Sequence, residues 1–244
     1  MARIFVTGSA DGLGRATAQS LLLDGHEVVA HARNPQRAES MGWFTQRGAD
    51  VLIADLSVRA QILELAHQLL GIGPLDAVVH NAGVISGRTL MPVNVVAPYL
   101  LTALLRDVPR HVYLSSGMHR GGSSSLDGID WEGRRASGSY ADSKLFVTAL
   151  SAAAARIRPA VMSNAVDPGW VATKMGGAGA PDDFAQGHQT QEWLAAGAAP
   201  EAMTSGGYWY HRAPNRTHPA VHDVAFQQRL LESLEAATGV PLTA

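Results

Sequence analysis

Short apolar segments rich in β-branched residues alternate along this chain with longer segments in which apolar residues recur at helical spacing. We predict strands for the six short segments at residues 3–7, 27–32, 50–54, 76–80, 110–116 and 161–166. The longer segments predict helices at residues 13–23, 36–46, 58–70, 90–105 and 140–157. Strands that alternate with helices in this way indicate βαβ units, so we expect a parallel sheet with helices on both faces.

The last part of the chain predicts one more strand and one more helix. The segment GYWYH at residues 207–211 is interpreted as a seventh strand, and the terminal helix is predicted from apolar residues at helical spacing, Val221, Val224, Leu231 and Leu234. Two segments rich in glycine, 117–139 and 175–183, are predicted loops. We therefore expect a single doubly wound α/β domain over residues 1–244, with a parallel sheet of about seven strands.

Composition narrows the functional classes. The chain has 244 residues, of which 46% are hydrophobic, enough for one sizeable core. A formal net charge of −2 with 16% charged residues gives no basic surface for a phosphate backbone, so nucleic acid is not an expected partner. The chain enters an apolar strand at once, without the pattern of a signal peptide, and no apolar run reaches the length of a membrane span. We therefore expect a cytoplasmic protein without membrane contact.

No metal site or disulfide is predicted. The chain has no cysteine, which excludes disulfides and cysteine-based metal or redox chemistry. His218 and His222 lie four residues apart, but Pro219 follows the first histidine and the pair lacks the glutamate of a zinc-binding HExxH helix. We expect these histidines to lie on the surface or to cap a helix.

A glycine-rich turn joins the first predicted strand to the first predicted helix. The segment TGSADGLG carries Gly8, Gly12 and Gly14. Glycines at such a turn allow a tight bend and let the backbone approach a pyrophosphate, which the helix N-terminus attracts. A glycine-rich turn can also serve only to connect the two elements, but its place at the start of a βαβ series favours a nucleotide site.

The spacing of these glycines resembles the TGxxxGxG pattern of the short-chain dehydrogenase/reductase family. Further motifs follow in the family's order along nearly the whole chain: HNAG (80–83), VNVVAPYLLT (93–102), YLSS (113–116), YADSK (140–144) and DPGWVATKM (167–175). His80 departs from the family, which has asparagine at the first position of HNAG. The resemblance implies a Rossmann-type domain that binds NAD(P) and catalyses oxidation or reduction.

Tyr140 and Lys144 are the strongest catalytic candidates. A tyrosine with a pKa near 10 exchanges protons poorly at neutral pH unless a cation stabilises its phenolate, and Lys144 lies on the same helix face at i+4. The resemblance implies that Tyr140 is the acid/base, and that Lys144 binds the nicotinamide ribose and lowers the pKa of the tyrosine. It further implies that Ser116 orients the substrate oxygen and that Asn94 holds a water of a proton relay.

Each of these polar residues also has a structural interpretation. Ser116 could be a turn residue at a strand end, with Ser115 as its rival for the catalytic role, and Asn94 could be a polar group at a helix kink, bonded to backbone. The alignment of YLSS favours Ser116 over Ser115.

The end of the second strand bears on the choice of cofactor. NAD-specific members of the family carry an acidic residue there, whereas this chain has Ala32 followed by Arg33, so we expect NADP(H) rather than NAD(H). Arg33 could also be a solvated surface charge, and Asp11 departs from the basic residue of some NADP-preferring relatives. Asp55 matches the position that binds the adenine amine, although it could instead cap the following helix.

The resemblance places the remaining cofactor contacts on the glycine turn, the ends of the strands, the catalytic helix and the segment after the sixth strand. The predicted set is Gly8, Ser9, Asp11, Gly12, Leu13, Gly14, Arg33, Asp55, Leu56, Asn81, Ala82, Gly83, Tyr140, Lys144, Pro168, Gly169, Val171 and Thr173.

Two segments are expected to shape the substrate site. Residues 170–200 are predicted to form a lid whose apolar side chains, Trp170, Met175, Phe184 and Trp193, favour an apolar carbonyl or alcohol substrate, although the same residues could pack the lid onto the body. Residues 117–139 form a longer loop between Ser116 and Tyr140 than most of the family has. It resembles that of retinol-dehydrogenase-like reductases, and it must fold back to keep the two residues together.

The sequence thus favours an oxidoreductase that transfers a hydride between NADP(H) and a carbonyl or alcohol carbon of a small molecule. The alternative is a non-catalytic protein on the same fold that binds or senses NADP(H). A nucleotide-sugar epimerase is not expected, because the chain lacks the length for a C-terminal substrate domain. A homo-oligomer is compatible with either interpretation.

Overall fold

Eight strands form one sheet in the computed structural model, which describes residues 1–244. They are β1 (Arg3–Val6), β2 (Glu27–Ala32), β3 (Asp50–Ile53), β4 (Ala77–His80), β5 (Arg110–Leu114), β6 (Met162–Asp167), β7 (Tyr208–Tyr210) and β8 (Ala213–Pro214). Their order is β3-β2-β1-β4-β5-β6-β7-β8, and every neighbouring pair is parallel except β7 and β8. The order reverses between β1 and β4, which is where doubly wound sheets bind ligands.

Eight α-helices cover the sheet. They are α1 (Gly12–Leu23), α2 (Pro35–Glu39), α3 (Gly42–Thr45), α4 (Arg59–Ile72), α5 (Ala97–Leu104), α6 (Tyr140–Ile157), α7 (Phe184–Ala196) and α8 (Val224–Thr238). One apolar core includes residues of α4, α5, α6 and α8, and a second core, on the other face, includes residues of α1, α3 and α7. The predicted doubly wound α/β fold is therefore confirmed.

Several element boundaries differ from the prediction. The helix predicted over 36–46 is divided into α2 and α3, because the chain turns at Ser40 and Met41, and Met41 is fully buried in the core. The terminal helix begins at Val224 rather than near Val221, which lies in a short 3₁₀ turn. The eighth strand was not predicted: it has two residues, and one is a proline.

The segment predicted as one helix over 90–105 is irregular in its first part. Residues Pro92–Val96 form a π-helical turn before α5 begins at Ala97. Single π-turns within helices frequently occur at functional sites, and this one carries Asn94.

The long loop 117–139 folds back onto α6 and α8, as expected. It begins with a 3₁₀ turn, Gly117–Gly121, and its Trp131 is buried against Phe146 and donates from Nε1 to Ser233 Oγ at 2.8 Å. The loop ends at Ser139, which forms a reciprocal capping box with Asp142. This cap makes Tyr140 the first residue of α6.

No helix in the structure combines the length and apolar character needed to cross a bilayer.

Candidate active site

A cavity of about 460 Å³ lies along the carboxyl ends of the central strands, at the point where the strand order reverses. Most of the predicted contact residues line it: Gly8, Asp11, Gly12, Leu13, Gly14, Arg33, Asp55, Leu56, Asn81, Ala82, Gly83, Tyr140, Lys144, Pro168 and Thr173. Five predicted residues are not in its wall, namely Ser9, Asn94, Ser116, Gly169 and Val171.

The glycine turn is held against the end of β4 by Asn81. The Asn81 Nδ2 donates to Thr7 O at 2.9 Å, and a Cβ on Gly14 would lie 2.2 Å from that nitrogen and 2.5 Å from Gly8 O. Gly8 has φ +68°, a left-handed conformation that favours glycine. The turn therefore needs glycine at Gly8 for its backbone and at Gly14 for close approach to Asn81.

Ser9 and His31 support the turn from beneath. The Ser9 hydroxyl donates to Val6 O and accepts from His31 N at 2.9 Å, so this side chain faces the sheet and not the cavity. His31 Nδ1 accepts from Gly8 N at 3.0 Å, and its other ring nitrogen donates to Ala54 O at 2.9 Å. Burial lowers the pKa of His31 to about 4, so the ring is neutral. Sequence reasoning missed His31, which belongs to no motif.

Cations surround the end of the cavity near β2. Arg33 is exposed and forms no ion pair, whereas Arg37 and Lys174 both bind the Asp11 carboxylate, Lys174 at 3.2 Å. Burial favours a higher pKa for Asp11, but the hydrogen bonds from Arg37 and Lys174 outweigh it and lower the pKa. Sequence reasoning missed Arg37 and Lys174, although Arg37 lies four residues after Arg33 in sequence and Lys174 adjoins Thr173.

Asp55 is also in the cavity wall. Its Oδ1 accepts from Ser57 N at 2.9 Å and from Ser57 Oγ at 2.7 Å. This carboxylate thus organises the turn before α4 while it faces the cavity. It does not cap the helix, because α4 has Val58 at its N-cap position and no side-chain cap.

Tyr140 and Lys144 lie at the other end of the cavity. Lys144 Nζ donates to Leu114 O at 2.7 Å and lies 5.5 Å from the centre of the Tyr140 ring. Burial lowers the pKa of Lys144 to about 8, although the charge of Asp167 opposes this shift. Burial raises the pKa of Tyr140 to about 12, the charge of Asp167 adds to this rise, and a hydrogen bond with Ser116 works against it.

The tyrosine pKa therefore differs from the expectation that Lys144 lowers it. The physical reason is that the ammonium is directed at the Leu114 carbonyl, so burial of the phenol dominates. In this arrangement Tyr140 is protonated at neutral pH.

The two serines at the end of β5 have different environments. Ser115 is buried and its hydroxyl lies 2.6 Å from Thr148 Oγ1, whereas the Ser116 hydroxyl accepts from Met118 N at 3.2 Å and acts to lower the pKa of Tyr140. The cavity wall includes Ser115 and not Ser116, but the Ser115 hydroxyl forms a hydrogen bond with Thr148 in the protein interior. The geometry therefore favours Ser116 as the partner of Tyr140.

The Asn94 side chain binds backbone. Its Oδ1 accepts from Val84 N at 2.8 Å, and its Nδ2 donates to Val84 O at 2.9 Å and to Ser143 Oγ at 3.0 Å. This matches the alternative of a polar group at a helix kink. Asn94 fixes the loop after β4 against α6 and so determines where Gly83 meets Lys144.

The segment after β6 is tied to the start of the lid through Asp182. Gly169 has φ +81° beside the Asp182 carboxylate, which accepts from Trp170 N at 2.6 Å, and the buried Val171 pairs with Asp182. Gly169 and Val171 therefore shape this segment from outside the cavity.

The apolar lid residues fall into two groups. Trp170 is 60% exposed, Met175 44% and Phe184 38%, and Met175 lines the cavity. Trp193 instead packs on Trp209, with ring centres 5.0 Å apart. The packing alternative thus holds for Trp193, and the other three apolar side chains remain accessible.

Comparison with known proteins agrees with this geometry. A model of the short chain dehydrogenase family matches residues 2–105. An uncharacterized oxidoreductase of Emericella nidulans is 36% identical, over 98% of this chain and 98% of its own length. A protein of Streptomyces sp. strain C5, provisionally named a daunorubicin C-13 ketoreductase, is 30% identical over 97% of this chain and 92% of its own.

Solved structures share the fold. The crystal structure of a blue fluorescent protein from a metagenomic library, in complex with NADPH, superposes with a TM-score of 0.71 at 21% identity, over 85% of this chain and 94% of that one. The sequence similarity to the Emericella protein extends over nearly the full length of both chains. On that similarity, together with the family model, the chain belongs to the short-chain dehydrogenase/reductase family of oxidoreductases.

Proposed function

We propose that this oxidoreductase transfers a hydride between NADP(H) and the carbonyl or alcohol carbon of a small apolar molecule. The observation that carries the proposal is one cavity with two different ends. The Tyr140 phenol and the Lys144 ammonium lie at one end, and the glycine turn with Arg33 lies at the other. A dinucleotide that extends between the two ends would have its nicotinamide beside Tyr140.

Two features of the chain fit a dinucleotide. Gly12 lines the cavity with φ +55° and no side chain, so the backbone of the turn is accessible where a pyrophosphate would approach. At the same end, Arg33, Arg37 and Lys174 outnumber the carboxylates of Asp11 and Asp55 in the cavity wall. Gly8, Gly12, Gly14, Asn81 and Thr173 would hold the group, and when bound it would supply or accept the hydride.

The residues near the nicotinamide end would manage the proton. Tyr140, protonated at neutral pH, donates its hydroxyl proton to the carbonyl oxygen as the carbonyl is reduced, and the reverse transfer accompanies alcohol oxidation. Ser116 donates a hydrogen bond to the same oxygen and steadies the charge that develops on it. Lys144, whose Nζ lies 5.5 Å from the centre of the Tyr140 ring, would bind the nicotinamide ribose next to the phenol.

The balance of charge supports NADP(H) over NAD(H). Arg33 has no anionic partner in the protein, and Arg37 shares Asp11 with Lys174, so a 2′-phosphate would find one free guanidinium and a second that can turn from Asp11. Ala32 contributes no carboxylate to repel it. The NADPH bound to the metagenomic protein is compatible with this choice.

The accessible apolar side chains support an apolar carbonyl substrate. Trp170 and Met175 follow β6, Phe184 begins α7, and all three are more than one third exposed. Exposed apolar groups next to a catalytic cavity favour a ligand that covers them. The name of the Streptomyces relative refers to reduction of a ketone.

A panel of ketones and aldehydes tests the proposal by loss of NADPH absorbance. We expect turnover of at least one bulky apolar carbonyl compound, and its loss in Tyr140→Phe. NADPH binding without turnover over the whole panel would favour a binding or sensing protein.

A further inference from the structure

Residues 170–182, which we call the lid turn, form a self-contained unit at the start of the lid. Trp170 Nε1 donates to Gly176 O at 2.8 Å, and Gly176 N donates to Thr173 Oγ1 at 3.0 Å. At the base of the unit, Trp170 N donates to Asp182 Oδ2 at 2.6 Å, and Asp182 N donates to Trp170 O at 3.0 Å. The lid turn is therefore held together by its own hydrogen bonds.

One polar contact joins the tip of the lid turn to the rest of the protein. The hydrogen bonds of residues 173–181 have both partners within the lid turn, and only Lys174 reaches outside it, to Asp11 Oδ2 at 3.2 Å. Beside this ion pair, the Thr173 methyl group lies 3.6 Å from where a Cβ on Gly12 would be. The lid turn thus meets the glycine turn at the cavity, and Lys174 is its charged tether.

Arg37 binds the same carboxylate oxygen as Lys174. Both cations contact Oδ2 of Asp11, and all three side chains lie in the cavity wall together with Arg33. Arg37 belongs to α2, which follows the end of β2, where the ribose of a bound adenosine is expected. Lys174 therefore lies at the adenosine end of the cavity, although it comes from the lid.

The contact between Lys174 and Asp11 is exchangeable. The Lys174 side chain is 79% exposed and that of Asp11 is 44% exposed, and ion pairs so exposed contribute little to stability. A phosphate group offers more negative charge and more acceptor oxygens than a carboxylate. A phosphate that enters between these cations can therefore displace Asp11 as their partner.

We propose that Lys174 binds the 2′-phosphate of NADP(H) together with Arg33 and Arg37, and that Asp11 is the anionic partner of Lys174 until the cofactor enters. Binding replaces a weak tether of the lid turn with a stronger one, so the 2′-phosphate draws the lid turn onto the cavity. This inference rests on the proposed function, since it needs NADP(H) as the cofactor. It adds that the lid responds to the phosphate that distinguishes NADP(H) from NAD(H).

Fragments of the cofactor isolate the phosphate contact. Adenosine 2′,5′-bisphosphate carries the 2′-phosphate and 5′-AMP lacks it, and neither has a nicotinamide, so their binding does not depend on turnover. Calorimetric titration with both fragments, NADPH and NADH gives the dissociation constants. We expect Lys174→Gln to weaken the binding of NADPH and of the bisphosphate about fivefold, and to leave NADH and 5′-AMP unchanged. Lys174→Arg, the matched control, keeps the charge and should bind every ligand like the wild type.

Asp11→Asn tests the exchange of partners. The substitution frees Arg37 and Lys174 and removes a negative charge beside the incoming phosphate, so binding of the bisphosphate should tighten about threefold, with 5′-AMP unchanged. Asp11 makes no side-chain cap on α1, so this helix keeps its hydrogen bonds in the variant. Weaker binding of the bisphosphate by Asp11→Asn would contradict the exchange.

Hydrogen exchange of the lid turn gives an independent readout. The amides of Gly176 and Gly177 both donate to Thr173 and report on the tip of the turn. The bisphosphate should increase their protection in the wild type and not in Lys174→Gln, whereas 5′-AMP should increase it in neither protein.

Two different failures can be told apart. If the wild type prefers NADPH and Lys174→Gln keeps that preference in full, the inference is overturned and the proposed cofactor stands. An equal loss of NADPH and NADH binding in Lys174→Gln overturns it as well, because the lysine would then serve a part that both cofactors share. Equal affinity of the wild type for NADPH and NADH instead contradicts the proposed choice of cofactor, and the inference falls with it.

Discussion

Gly14→Ala tests the account of the glycine turn. The new methyl group would lie 2.2 Å from Asn81 Nδ2 and 2.5 Å from Gly8 O, so the Asn81 side chain has to leave and the Gly8 backbone has to shift. Loss of the Asn81 hydrogen bond leaves the Thr7 carbonyl unpaired, at a cost of about 1 to 3 kcal/mol, and the forced shift at Gly8 costs about 1 to 3 kcal/mol more. The better helix propensity of alanine returns about 1 kcal/mol. We expect a net loss of about 2 to 3 kcal/mol in the free energy of unfolding.

Gly25→Ala is the matched control. Gly25 has φ +83° and open space around its Cβ position, so the substitution adds only left-handed strain, about 1 to 2 kcal/mol, far from the cavity. Chemical denaturation gives the two stabilities, and fluorescence titration gives NADPH dissociation constants. Gly14→Ala should weaken NADPH binding at least about tenfold, or 1.4 kcal/mol, and Gly25→Ala should leave it unchanged. Equal NADPH affinity in the two variants would refute the reasoning.

Three further predictions concern the cofactor, the lid and acid stability. NADPH should bind at least about tenfold more tightly than NADH, and Arg33→Ala should reduce that ratio, because the contact of Arg33 with a 2′-phosphate is charge-assisted. Equal binding of the two cofactors by the wild type would contradict the choice of NADP(H). Residues 175–200 should gain protection from hydrogen exchange when NADPH and a substrate are added. Complete protection in the free protein would contradict this prediction, because the segment would then be ordered without ligand. Because the pKa of His31 is about 4 in the folded chain and near 6.5 when unfolded, the unfolded chain binds more protons between these values. Stability should therefore fall by about 3 kcal/mol from this residue as the pH drops through that range, and His31→Gln should remove that part of the pH dependence in denaturation curves.

Motif-bearing residues were predictable from the sequence because their backbone positions follow from the order of strands. Gly8, Gly14 and Asn81 meet at the strand ends, and the Ser139 cap places Tyr140 at the start of its helix. The hydrophobic periodicity that predicted the strands did not predict that the second helix is divided into α2 and α3. The burial of Met41 is a tertiary effect that overrides the local pattern.

Residues that act through long-range contacts were not predictable. Arg37 and Lys174 meet at Asp11 only because α2 and the segment after β6 converge on the glycine turn. Asp167 belongs to the motif DPGWVATKM, but the motif assigns it no role. Its carboxylate accepts a hydrogen bond from Tyr208, which is 41 residues further along the chain. The direction of the Lys144 ammonium, toward Leu114 O, is likewise a property of packing and not of the YxxxK spacing.

The most direct test of the central claim is the turnover number of Tyr140→Phe, measured with NADPH and the best carbonyl substrate of the panel. The variant keeps the ring and removes the only proposed proton donor, so turnover should fall by a factor of about a hundred or more while the NADPH dissociation constant barely changes. Lys144→Met, measured alongside, should impair both quantities. A Tyr140→Phe enzyme that turns over like the wild type would contradict the mechanism, and loss of NADPH binding in that variant would make the tyrosine a structural residue.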